Sequence, residues 1–102
     1  MNKHTENAIK RKRKMAKLVA QIVIANKLLL NQDTESTEIR HALGMSYQNF
    51  NFYLRDPFLI NELRYYGIQV KKGKYRNYFF IQESELKMKI QFNLKGLNNH
   101  EL

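Results

Sequence analysis

The sequence predicts an α+β domain of three to four helices followed by a β-hairpin, with an extra strand near the C-terminus. Three observations predict it. Apolar residues recur at three- and four-residue spacing from Met15 to Tyr66, the period falls to about two after Gly67, and Gly44, Gly67 and Gly73 punctuate the pattern. At 102 residues and 43% hydrophobic content, the chain suits one domain with one modest core.

Met15, Leu18, Val19, Ile22, Val23, Ala25 and Leu29 define an amphipathic helix to Leu30 that begins earlier, near Glu6 to Lys10. Residues 1–14 form a basic arm or an extension of that helix. Asn31-Gln32-Asp33-Thr34 is a polar break, followed by helix-start signals at Thr34 and Ser36. A short helix through Glu38, Ile39, Ala42 and Leu43 stops at Gly44, a residue suited to a left-handed turn. Ser46 suits an N-cap for a helix from Tyr47 to Arg55. Pro57 restricts Asp56 and breaks the chain there, and a further helix runs from Phe58 to Tyr66. Two strands follow, Ile68 to Lys72 and Lys74 to Gln82, around Lys72-Gly73. In the tail, residues 83–102, Met88, Ile90, Phe92 and Leu94 alternate with Lys87, Lys89, Gln91, Asn93 and Lys95. That alternation fits a strand with one buried face, although Leu86, Ile90 and Leu94 also share helical spacing.

Charge narrows the partners. There are 18 Lys and Arg against 9 Asp and Glu, a net charge of +9. The excess lies in two blocks, Lys10-Arg11-Lys12-Arg13-Lys14 and Lys71, Lys72, Lys74 and Arg76, the second without any acid. Blocks of one sign attract phosphate backbones and release counterions on binding, whereas a merely solvated face mixes signs. The first block opposes its own helix dipole, which favours anions at that end. It also lacks a neighbouring Trp or Phe, which argues against a membrane surface.

Other classes recede. With no cysteine, disulfides, thiolate metal sites, Fe–S clusters and a catalytic thiol are excluded. The longest apolar run, Leu18 to Leu30, is interrupted by Gln21, Asn26 and Lys27 and falls short of a membrane span. No small-residue cleavage site follows it, so no signal peptide is expected. His4, His41 and His100 are scattered, and there is no phosphate-binding glycine loop or nucleophile motif. The expectation is a cytoplasmic, nucleoid-associated protein without catalytic residues, metal or cofactor.

The informative run is Glu38 to Leu54. Ile39 and Leu43 bury one helix, Gly44 makes the turn, and Met45 plugs the corner. Ser46 caps a second helix whose Phe50 and Leu54 face the same core. This spacing resembles a helix-turn-helix, and Tyr66-Gly67-Ile68 with the basic hairpin resembles the wing of winged-helix DNA-binding proteins. The resemblance covers residues 15–82. Arg40 lies where many such proteins place a small Ala, Pro57 divides what is often one continuous helix, and Tyr47 to Leu54 holds no Lys or Arg.

The resemblance implies binding to DNA, duplex in preference to single strands, by a small transcriptional regulator or a replication or maintenance factor. Gln48, Asn49 and Asn51 have the geometry to read adenine, or else form a solvated helix face. Ser46, Tyr47 and Arg55 flank them. Lys71, Lys72, Lys74 and Arg76, with the five residues of the first block, would contact phosphates. Tyr75 and Tyr78 suit either cross-strand packing or stacking on nucleic acid, and Tyr47, Phe52 and Tyr53 suit either the core or stacking. The alternatives are a single-strand binder and a protein-interaction module on the same scaffold. A homodimer through the first helix or the C-terminal strand is expected, because one recognition helix covers few base pairs and two segments, Met15 to Leu30 and the tail strand, carry surplus apolar surface. The alternative is a monomer whose tail becomes the third strand of the wing sheet.

Overall fold

The computed structural model describes residues 3–88. Its longest element is α1 (Lys3–Leu30), whose 28 residues span about 42 Å at 1.5 Å per residue. Met15, Ala16, Val19, Ala20 and Val23 are buried along one stripe. The small side chains of Ala16 and Ala20 sit among them, and this stripe packs against α4 (Pro57–Tyr65) and the sheet. Burying a side chain such as Val19 or Val23 contributes roughly 1.5–3 kcal/mol. The helix stops at Asn31, which adopts a left-handed φ of 53°. The amides of Asn31 and Gln32 donate back to the Lys27 and Asn26 carbonyls.

Three antiparallel strands form a small sheet in the order β1-β3-β2: β1 (Thr34–Glu35), β2 (Ile68–Lys72) and β3 (Asn77–Ile81). Thr34 pairs with Phe79 and Glu35 with Tyr78, while Ile68 pairs with Ile81 and Lys72 with Asn77. Between β1 and β2 the chain makes α2 (Ser36–Ala42), α3 (Tyr47–Leu54) and α4. The layout is therefore α+β, with the helices and one face of the sheet enclosing a single core. Phe79, Ile39, Leu59, Leu63 and Ile68 fill its centre.

Several elements differ from the sequence expectation. Thr34 and Glu35 form a strand rather than starting a helix, and Glu35 occupies the N-cap of α2 without a side-chain cap bond. Thr34 is fully buried there, and its hydroxyl accepts from Asn26 Nδ2 at 2.8 Å. The second hairpin strand begins at Asn77, not Lys74, because residues 73–76 are consumed by the loop. Tyr75 accordingly sits in that loop and makes no cross-strand pair. The tail strand expected over 87–95 is helical where it is described: residues 83–88 form a helix, and 89–95 lie outside the described residues. The helix wins because Leu86 turns inward to the core while its amide donates to the Gln82 carbonyl.

Candidate nucleic-acid interface

The turn between α2 and α3 is built as the residue types require. Gly44 takes φ +65°, a left-handed conformation that is strained for residues with a Cβ. Ser46 Oγ accepts from the Asn49 amide at 3.2 Å and so caps α3. Arg40, which stands where a small residue was expected, braces this turn. Its Nη1 donates to the Met45 carbonyl at 3.3 Å, and its Nη2 lies 3.0 Å from His41 Nε2. Its Nε is buried without a hydrogen-bond partner.

Phe50 anchors α3 against Phe79, ring centroids 6.3 Å apart, and Tyr53 and Leu54 pack at the same side. At about 100° per residue, this phase turns Gln48, Phe52 and Arg55 outward. All three are exposed, as are Tyr47 and Asn49. Of the three rings whose roles the sequence left open, Tyr53 packs against the core while Tyr47 and Phe52 are exposed, and the spacing of Phe52 from Gln48 and Arg55 was the available signal for it. Tyr47 and Asn51 turn toward the β2–β3 hairpin. There a cleft of about 240 Å³ is lined by Arg40, Tyr47 and Asn51 on one side and Lys74, Tyr75 and Arg76 on the other. Asn51 also lines a second groove with Arg55, Lys72 and Asn77.

The hairpin tip is tight. The Gly73 amide donates to the Arg76 carbonyl at 2.8 Å, and a Cβ on Gly73 would stand 2.5 Å from that oxygen. Arg76 Nη1 bonds Glu35 Oε1 at 2.5 Å, fastening the tip to β1. This hydrogen bond raises the Arg76 guanidinium above its ordinary pKa, so it stays charged. Lys74 Nζ lies 5.3 Å from the centre of the Tyr75 ring, which is 85% exposed. Strand alternation separates the two remaining lysines. Lys72 shares the groove with Arg55 and Asn51, whereas Lys71 lines a hollow with Asp33, Glu35 and Glu38 on the other side.

The first basic block is also divided. Lys12 pairs with Asp56 at 2.5 Å and Arg13 with Glu62 at 3.7 Å, both cations lying over the Phe58 ring. These two residues clamp α1 onto the start of α4. The hydrogen bond from Lys12 holds the Asp56 carboxyl below its ordinary pKa, against a smaller opposing effect of burial. Lys10, Arg11 and Lys14 are exposed and have no acidic partner among the described residues.

The arrangement offers cations and hydrogen-bonding side chains on one surface. Among the described residues no group of three or more His, Cys, Asp or Glu could hold a metal ion. No described helix is long and apolar enough to cross a membrane. No family model matches the chain, and comparisons with curated proteins and with solved structures likewise return no match.

Proposed function

We propose that this chain binds duplex DNA as a winged helix-turn-helix, with α3 as the recognition helix and the β2–β3 hairpin as the wing. One observation carries the reading: Tyr47 and Asn51 of α3 and Lys74, Tyr75 and Arg76 of the hairpin tip line a common cleft. The topology supports it, since α2 and α3 are inserted between β1 and β2 of a sheet ordered β1-β3-β2. Lys72 and Lys74 contact phosphates, and the exposed Lys10, Arg11 and Lys14 add to the field that draws the polyanion. Gln48 and Asn49 project from α3 toward base edges, with Asn51 deeper in the cleft. Arg55 contributes the one cation on this helix's outer face. Ser46 acts mainly as the cap, its O–H remaining able to donate to a phosphate. Lys12, Arg13 and Arg76 hold the scaffold through their acidic partners, and Lys71 faces elsewhere. The chain would serve as a small regulator or as a replication or maintenance factor.

A second reading rests on the exposed rings of Tyr47, Phe52 and Tyr75, which suit stacking on unpaired bases. Titration of matched-length duplex and single-stranded DNA over a salt series separates the two. The proposal expects tighter duplex binding that weakens steeply with salt. Tighter single-strand binding supports the second reading. Affinity for neither, with a protein partner whose binding ignores salt, removes both.

A further inference from the structure

We propose that Phe52 makes this chain a reader of thymine, its ring packing on the base's C5-methyl group in the major groove. The inference rests on the duplex-binding reading and adds the base that α3 selects. At about 100° per residue, Phe52 stands almost opposite Phe50, the side chain that anchors the helix. Its ring is 73% exposed, and its aromatic neighbour is Tyr53, edge-on with centroids 6.0 Å apart. The core takes Phe50, Tyr53 and Leu54 from α3 and leaves Phe52 outside. Gln48 lies one turn before the ring and Arg55 nearly one turn after it, both exposed, and the exposed Asn49 flanks it three residues back.

The company the ring keeps selects the occupant. Gln48 and Asn49 are amides, Arg55 is a cation, and Lys72 lines a groove with Arg55 and Asn51. An apolar protein surface would strip water from these groups without replacing it, whereas duplex DNA supplies phosphates for the cations and base edges for the amides. Among base edges in the major groove, the thymine C5-methyl is the apolar group, and Phe is one of the side chains that contacts it. Adenine presents an N7 acceptor and an N6 donor there, the pair that a Gln or Asn amide matches. Guanine is read most often by Arg or Lys, and Arg55, at the C-cap, is the cation this face presents. Gln48 and Phe52 are separated by a rise of about 6 Å, close to two base-pair steps of roughly 3.4 Å. One α3 can therefore hold an adenine amide contact and a thymine methyl contact within a single A·T-rich stretch.

Fluorescence anisotropy with two matched duplexes isolates the methyl group. One duplex has alternating A·T pairs, and in the other every thymine is replaced by uracil, which pairs in the same way and lacks that group alone. The full chain should bind the thymine duplex about fourfold more tightly, the ratio that burying one methyl group gives. Phe52→Ala should keep the thermal melt, since the ring lies outside the core, and should bind both duplexes equally, at the uracil level. Gln48→Ala should weaken binding to both and keep the fourfold ratio. Equal binding of the two duplexes by the unaltered chain overturns the thymine reading while duplex binding stands. A ratio that survives Phe52→Ala overturns it as well, because another residue then meets the methyl. So does a Phe52→Ala loss confined to single strands, which assigns the ring to stacking, or DNA binding untouched by Phe52→Ala, which leaves the ring to a protein partner. Failure to bind either duplex overturns the duplex-binding reading and this inference together.

Discussion

Replacing Lys72 and Lys74 together with Ala tests the hairpin as a phosphate-contacting wing. Both side chains are exposed and have no acidic partner among the described residues. The double change should therefore alter stability by no more than about 0.5 kcal/mol. Each phosphate contact on duplex DNA contributes about 0.9 to the slope of log affinity against log salt. Losing two should flatten the slope by about 1.8. Between roughly 50 and 200 mM salt, the unaltered chain should then lose about tenfold more affinity than the variant. Arg76→Ala is the internal contrast. Its guanidinium is held by Glu35, so removing it should leave the slope unchanged while loosening the join between β1 and the tip. Fluorescence anisotropy with a labelled duplex, repeated on several sequences, reads both quantities. A double variant with the original slope would refute the phosphate role. A loss confined to one sequence would refute it too, because phosphate contacts position a protein without reading bases.

Three further outcomes follow from the scaffold. Ser46→Ala removes the acceptor for the Asn49 amide and should cost about 1 kcal/mol in urea unfolding. Phe79→Ala should cost roughly 3–5 kcal/mol, since its ring is fully buried against Phe50. That loss is large against the whole stability of a domain this size, and a melt shows it directly. For Asp56, the folded-state pKa lies below the unfolded value, chiefly through the Lys12 hydrogen bond. Its stabilising contribution is thus complete above the ordinary aspartate value of 3.8 and is lost as pH falls through the lower folded value. Lys12→Met should raise the Asp56 titration midpoint, followed by the carboxyl chemical shift in NMR, and a midpoint that stays put would show that Lys12 does not set it.

What the sequence by itself determined is what a few neighbouring residues encode. The helical span of α1, the Ser46 cap, the left-handed Gly44 and the change of period after Gly67 each depend on contacts within about one turn and stand where expected, whereas the buried stripe of α1 shifts to Ala16 and Ala20 and leaves Leu18, Ala25 and Leu29 exposed. Phe50, Leu54, Ile39 and Leu43 could be assigned to the core for the same reason. The tertiary structure decided the rest because the partners are remote along the chain. A two-residue strand such as β1 has no periodicity to read, and only its pairing with β3 makes it one. Lys12 and Arg13 look the same in sequence as Lys10 and Lys14, yet helix phase and the arrival of Asp56 and Glu62 turn them into clamps. Arg76 is withdrawn from the free hairpin cations by Glu35, 41 residues away. The tail shows the same limit, because alternation and helical spacing coexist there. At Leu86 the core supplies the apolar contact that the local pattern leaves undecided.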